Sequence, residues 1–359
     1  MSTNVTTPTP PDMDKLQALL GRAVVDFSAT MQAGLVVIGD RLGLYRALAE
    51  GGAMRPDELA RKTSTSERYV QEWLNANAAS FYIDYQPRSG RYLMTPEQAA
   101  MLAYGDSPAF MVGGFEIALA AVRIVDQLEQ AFRSGEGIGW SEHHHQVFHG
   151  CERFYRSGYL AHLLQEWIPA LDGAQARLEA GASVADIGCG HGAATILMAQ
   201  AFPNSRFVGY DSHEGSVQTA RERAQRAGVA DRVRFEVANA ADYPGQDFDL
   251  VTIFDALHDL GDPIGASAHV LTTLKADGIW MIVEPNAADL TEDNMNPFGR
   301  AFYAGSTLMC VPCALKQGKV ALGAQAGEAR LRAVVTAGGI SRWRRVAQTP
   351  TNLVFEARP

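Results

Sequence analysis

Apolar residues recur with helical spacing from Leu16 to about Leu48, and the pattern breaks near Gly34 and Gly39, which predicts two helices. Pro56 to Arg61 predicts a short helix with proline near its first turn. A turn over Thr63 to Ser66 follows, then a helix from Glu67 to Ala79 that Ser66 can cap, without the acid a capping box needs. Phe81 to Tyr85 and Arg91 to Leu93, joined by a Pro/Arg/Ser/Gly turn, predict a hairpin. Helical spacing resumes from Pro108 to Leu171, interrupted by the Gly-rich stretch Gly135 to Trp140.

The order helix, helix, helix, hairpin is that of a winged helix. Beyond a connector at residues 174–182 the period changes. Short apolar runs at Ser183–Ile187, Arg206–Tyr210, Val233–Val237, Asp249–Phe254 and Gly278–Val283 alternate with helices at about 193–202, 214–227 and 263–275. Such alternation builds a parallel sheet with crossover helices. Trp343–Val346 and Leu353–Ala357 have only a turn between them, so an antiparallel hairpin closes the sheet. The expected organisation is a disordered Thr/Pro-rich tail at 1–12, a helical winged-helix domain at 13–170, and a Rossmann-like α/β domain at 171–359.

The chemistry concentrates in Val184-Ala185-Asp186-Ile187-Gly188-Cys189-Gly190-His191-Gly192. A strand ends, glycines allow close backbone approach, and the start of a helix offers N–H groups to an anion. Gly188-x-Gly190-x-x-Ala193 also fits a dinucleotide fingerprint. Three details favour S-adenosylmethionine (SAM) instead. Asp186, two residues before the first glycine, would repel a pyrophosphate but attract an ammonium. Gly192 supplies a third glycine. Asp211, 19 residues past Gly192, closes the second strand where a carboxylate can accept both ribose hydroxyls.

On these residues the chain resembles the class I SAM-dependent methyltransferases, over about residues 150–359. The resemblance implies a seven-stranded sheet and SAM as cofactor. It sets Gly188 and Gly190 at the methionine end, Asp211 and Ser212 at the ribose, Asn239 and Ala240 at adenine, and Phe254 and Asp255 beside the methyl group. Leu42-Gly43-Leu44-Tyr45, Tyr69 to Leu74, Ser107 to Met111 and Asn296 to Arg300 extend the likeness to bacterial small-molecule methyltransferases with an N-terminal winged helix. That group usually has a glycine at the helix end occupied here by Ser80-Phe81. In it the module packs against a second subunit, which implies a homodimer built on residues 16–48 and 108–130.

His258 follows the fourth strand, and Leu257-His258-Asp259 resembles the segment of plant-type O-methyltransferases whose histidine deprotonates the acceptor hydroxyl. The competing account is a histidine that only packs under the cofactor, since a sulfonium methyl is already activated. Trp140, His144 and Tyr303 are the candidate acceptor-lining residues, the first two on a glycine-bearing loop free to move, the third in an aromatic, Met-rich segment. Phe154, Tyr155 and Tyr159 either cover the cofactor or pack in the core. No metal site is expected: His143, His144 and His145 are consecutive and point different ways, and Cys310-x-x-Cys313 has no second pair.

Composition narrows the partners. The net charge of -9 opposes a phosphate-backbone binder. From residue 56 to 95 the basic Arg61, Lys62, Arg68, Arg88 and Arg91 are balanced by Asp57, Glu58, Glu67, Glu72 and Asp84. The rival function, a winged-helix transcription regulator that senses SAM, therefore lacks its electrostatic footing. A fold that binds a ligand without catalysis is a third alternative. Four cysteines form no disulfide framework, and the longest uncharged run, Ala301–Leu315, is too short for a membrane span. The expectation is a cytoplasmic methyltransferase acting on a small apolar or aromatic acceptor at a hydroxyl oxygen.

Overall fold

A computed structural model describes residues 10–359. The tail expected over 1–12 lies, except for its last three positions, outside the described residues. The chain divides into two compact units, one ending at Tyr104 and one spanning Gly105–Pro359. The boundary expected at 170 falls inside the second unit. Tyr159, Leu163, Trp167 and Ile168 share one core with Val184 and Phe254 of the sheet, so these helices cannot be parted from it.

The first unit runs α1 (Met13–Arg41), α2 (Leu44–Gly51), α3 (Pro56–Thr63), α4 (Glu67–Ala79), β1 (Asp84–Gln86), β2 (Arg91–Leu93) and α5 (Pro96–Leu102). Asp12 starts α1 by accepting the Asp14 and Lys15 amides at 3.0 and 3.2 Å. The two helices expected between Leu16 and Leu48 are α1 and α2, but the break expected near Gly34 and Gly39 is absent from α1. Gly39 lies inside it because a Cβ there would meet the Trp73 and Tyr45 rings at 2.5 and 2.6 Å. The break falls instead at Gly43, whose φ of +68° ordinary residues avoid. Asn77 is the polar hub of this unit. Its Oδ1 accepts from Tyr45 Oη at 2.5 Å and Gln32 Nε2 at 3.1 Å, and its Nδ2 donates to the Trp73 carbonyl. Among the described residues one helix, α1, is long and apolar enough to cross a membrane by length and composition.

The second unit begins with α6 (Val112–Ala121), α7 (Val125–Ser134) and α8 (His145–Gly158). The last continues through a wide π-helical stretch, Tyr159–Trp167, into α9 (Ile168–Ala170). Then come α10 (Ala174–Ala180), β3 (Ser183–Ile187), α11 (Ala193–Ala201), β4 (Arg206–Asp211), α12 (Glu214–Arg226), β5 (Val233–Val237), β6 (Phe248–Phe254), α13 (Pro263–Thr273) and β7 (Leu274–Pro285). The chain ends with α14 (Pro297–Gly305), α15 (Val311–Gln317), α16 (Gly327–Ala337), β8 (Arg342–Gln348) and β9 (Asn352–Arg358).

The seven strands lie in the order β5-β4-β3-β6-β7-β9-β8, with β9 antiparallel to both neighbours. All seven coincide with the predicted runs, though β7 starts earlier. Period two divides the strand residues between the faces: Leu250, Phe254, Ile279, Met281 and Val283 enter one core, and Val251, Ile253, Trp280 and Ile282 the other. Because the chain reverses direction across the sheet at β3, the C-terminal ends of β3, β4 and β6 open onto a crevice.

The missing glycine at the end of α4 leaves a mark. Phe81 adopts φ +59° while 85% exposed, and the Tyr82 amide closes the turn onto the Asn77 carbonyl at 3.0 Å. A side chain in that region costs about 1 kcal/mol and here packs on nothing in return. Phe81→Gly should therefore raise the melting temperature, by an amount equivalent to about 0.5–1 kcal/mol; an unchanged or lower midpoint in calorimetry would contradict this.

Candidate active site

The loop after β3 takes its shape from backbone demands. Gly188, Gly190 and Gly192 have φ of +69°, +53° and +76°. The Gly188 and Cys189 amides donate to the Tyr210 carbonyl at 2.8 and 3.0 Å, and the Gly190 amide donates to Asp211 Oδ2 at 2.9 Å. Asp211 Oδ1 accepts from the His213 amide at 2.8 Å, so this one carboxylate ties the ends of β3 and β4 together. Gly192 does not reach the crevice. It serves packing, because a Cβ would lie 2.6 Å from the Phe235 ring.

The crevice is a cavity of about 620 Å³. Asp186, Gly188, Gly190, Asp211, Ser212, Asn239, Ala240, Phe254, Asp255 and His258, all expected from sequence, line it together. So do Trp140, Tyr155 and Tyr159. The acidic lining comprises Glu152, Asp186, Asp211, Asp242, Asp255, Asp259 and Asp262, and among the described residues no lysine or arginine joins them.

Asp186, Asp211 and Asp255 are held by neutral donors, while Glu152 pairs with Arg223 from outside the lining. Thr195 Oγ1 donates to Asp186 Oδ2 at 2.5 Å, and Thr252 Oγ1, on the paired position of β6, donates to Oδ1 at 2.8 Å. Burial pushes the Asp186 pKa up to about 6 against the pull of those hydroxyls. Burial likewise raises Asp211, against its two backbone amides. Asp255, in a left-handed conformation at φ +49°, accepts from Asn352 Nδ2 at 2.8 Å, while its Oδ2 is buried without a partner. Burial, with Glu284 adding to it, raises Asp255 far above the usual range.

Residues 178–330 match a methyltransferase domain family, and residues 28–104 match the Rv2258c-like winged helix-turn-helix domain. The second unit carries a methyltransferase domain. Curated relatives match only in part. The 27-O-demethylrifamycin SV methyltransferase of Amycolatopsis mediterranei is 41% identical over 87 residues, 24% of this chain and 32% of that one. The trans-aconitate 2-methyltransferase of Paracidovorax citrulli is 32% identical over 113 residues, 32% of this chain and 42% of that one. The chain thus spans less than half the length of these relatives. Solved structures match end to end. Human N-acetylserotonin methyltransferase, in complex with SAM, gives a TM-score of 0.71 at 16% identity, covering 98% of this chain and 99% of that one. An O-methyltransferase family protein of Burkholderia thailandensis gives 0.68 at 16%, with the same coverage. At these identities the structural likeness speaks for the fold.

Around the methyltransferase domain's sheet edge, β6 and β7 position a histidine. His258 is buried; its Nδ1 pairs with Glu284 Oε2 at 2.5 Å and its Nε2 lies 3.2 Å from Asp259 Oδ1. Glu284 is itself fixed by the Leu257 amide, 2.9 Å from Oε1. Burial works against a charged imidazole, but Asp259 and Glu284 outweigh it and hold the His258 pKa well above the usual histidine range.

Two acceptor candidates lie elsewhere. His144 is spent on capping α8, accepting the Gln146 amide at 3.3 Å, and its Nε2 is 2.6 Å from Arg123. Tyr303 is half-buried on α14 and does not line the cavity; Met309, Cys310, Cys313 and Gln317 do. The loop before α8 is pinned rather than free. Ile138 donates to the Pro312 carbonyl at 3.0 Å, and a Cβ on Gly137 would strike the Lys316 amide at 2.0 Å. Sequence reasoning also passed over Phe148, Cys151 and Glu152, which line the cavity with Tyr155 and Tyr159. Their spacing of three, four and seven residues along α8 is a helical face that could have been found.

The Glu284 carboxylate is part of what keeps the imidazole charged. Glu284→Gln should lower the His258 pKa by one unit or more, read from its ring resonances in a pH titration; an unmoved midpoint would refute the coupling.

Proposed function

We propose that this chain transfers the methyl group of SAM to a hydroxyl of a small apolar or aromatic acceptor. The observation that carries this is the cavity's charge: seven acidic side chains and no lysine or arginine among the described residues suit a sulfonium and an ammonium and repel a phosphorylated nucleotide. The partial matches to O-methyltransferases support the reaction class.

In this account the methionine end lies on Gly188 and Gly190 with its ammonium toward Asp186. Asp211 and Ser212 take the ribose, Asn239 and Ala240 frame adenine, and Phe254 and Asp255 flank the methyl group. Trp140, Phe148, Met309 and Cys313 form the soft wall for the acceptor. The acceptor oxygen forms its bond to the methyl carbon as the carbon–sulfur bond breaks, and that electron pair stays on sulfur as a neutral thioether. The hydroxyl proton passes to His258, whose imidazolium Glu284 and Asp259 stabilise. A sulfonium nearby disfavours a prior charge on the imidazole, so cofactor binding readies the base.

The first unit fits a dimer better than a DNA reader. Met13, Leu20, Val24, Phe27, Met31 and Ile38 follow a heptad seam along α1, each 46–73% exposed. Three of the five basic groups between residues 56 and 95 are paired internally: Arg68 with Glu72, Arg61 with Asp57, and Arg91 with Glu58.

S-adenosylhomocysteine should bind in calorimetry while NADH does not. Its cationic ammonium prefers ionised carboxylates, and Asp186 protonates near pH 6, so affinity should fall about tenfold from pH 7 to pH 5. Tight NADH uptake without S-adenosylhomocysteine binding would sink the proposal. With methyl-labelled SAM and a panel of hydroxylated aromatics, His258→Ala should cut label transfer about 10²–10⁴-fold with S-adenosylhomocysteine affinity intact; full transfer would leave the histidine a packing role. Phe27→Glu should shift sedimentation from dimer to monomer, and a wild type that sediments as a monomer would remove the seam's assignment.

A further inference from the structure

His258, Asp259 and Cys310 bring a nitrogen, an oxygen and a sulfur donor within 4.8 Å of one another. The first two belong to the single turn after β6, and Cys310 closes the wide π-helical stretch Ser306–Cys310 that leads into α15. All three line the cavity at its acceptor side. A tetrahedral zinc site with bonds of about 2.0–2.3 Å spaces its donors about 3.5 Å apart, so the cluster needs only a short inward movement.

Two further observations point to an ion. Glu284 takes Nδ1 of His258 and is held in turn by the Leu257 amide, which leaves Nε2 as the outward nitrogen. A carboxylate behind an imidazole in this way fixes the ring and its tautomer for metal binding. Asp259 Oδ1 is buried without a hydrogen-bond partner while standing 3.2 Å from that Nε2. The oxygen and the nitrogen are thus in direct contact, with the Cys310 thiol interacting with both side chains.

We propose that His258 Nε2, Asp259 Oδ1 and Cys310 Sγ form a site for a soft divalent cation, zinc foremost, with its fourth position open to the cavity. The mixed nitrogen, sulfur and oxygen donors disfavour magnesium and calcium, which take oxygen ligands. Binding displaces the thiol proton of Cys310 and any ring proton on Nε2 to solvent. An ion on Nε2 removes the group that would accept the acceptor's proton, while the loop of Gly188 to Gly192 and Asp211 stay free. The ion therefore inhibits transfer without displacing the cofactor. This consequence rests on the methyl-transfer proposal; the binding itself does not.

The test uses full-length, chelator-treated protein titrated with Zn²⁺ against a chromophoric chelator, and with Co²⁺ followed by visible absorption. Wild type should take up one ion per chain with a dissociation constant below about 1 µM and show a thiolate-to-cobalt band. Cys310→Ser and Asp259→Asn should each weaken uptake at least about 100-fold, and His145→Ala should not. S-adenosylhomocysteine calorimetry on each variant shows that it is folded. Wild type that binds S-adenosylhomocysteine but takes up no zinc would overturn the proposal. So would undiminished uptake in Cys310→Ser, which would move the ion to the histidines at 143–145. Failure of S-adenosylhomocysteine to bind would tell against methyl transfer, and the metal titration would still decide this site.

Discussion

Buried negative charge at one edge of the sheet is the constraint around which the second unit is arranged. Four adjacent strands deliver a carboxylate at or just past their C-terminal ends: Asp186 on β3, Asp211 on β4, Asp255 after β6 and Glu284 on β7. A buried, unpaired carboxylate costs several kcal/mol, so each is met by something. Two threonine hydroxyls meet Asp186, two backbone amides meet Asp211, Asn352 meets Asp255, and the Leu257 amide and His258 meet Glu284. Nearly all of these partners are neutral. Burial accordingly shifts several of the acids toward their protonated forms.

The remaining machinery holds that edge in place. Glycines let the loop after β3 bend back onto Tyr210 and Asp211, and Gly192 sets α11 tight against Phe235. α8 lays one face over the opening. The pinned loop before it, bonded to Pro312, joins that cover to α15. The glycine loop and the face of α8 are thus walls of one cavity, and His258 lines it with them.

Much of this was legible in the residues. The strands were, because short runs rich in β-branched and aromatic residues bounded by turns have few other uses. The geometry of the glycine loop was, because Asp186, the glycines and Asp211 stand in a fixed order along strands whose ends must converge. What escaped depended on helical phase or tertiary contact. Gly34 and Gly39 read as breakers, yet Gly39 is small to admit Trp73 and Tyr45. His144 was legible as polar and near the mouth, but its engagement as a helix cap is a matter of one turn's geometry. Tyr303 was misplaced because the π-helical stretch after it rotates the downstream face, and nothing in Ser306 to Cys310 announces a wide turn.

That wide turn has an evolutionary corollary. It stores one surplus residue in an otherwise continuous helix, at the point where that helix begins to line the cavity. Each residue of an α-helix turns the chain by about 100°, so loss of a single codon here would swing the upstream side chains a third of the way round relative to Cys310 and Cys313. Substrate preference in such a scaffold can drift by length changes as well as by replacement, with the sheet and its acids left untouched.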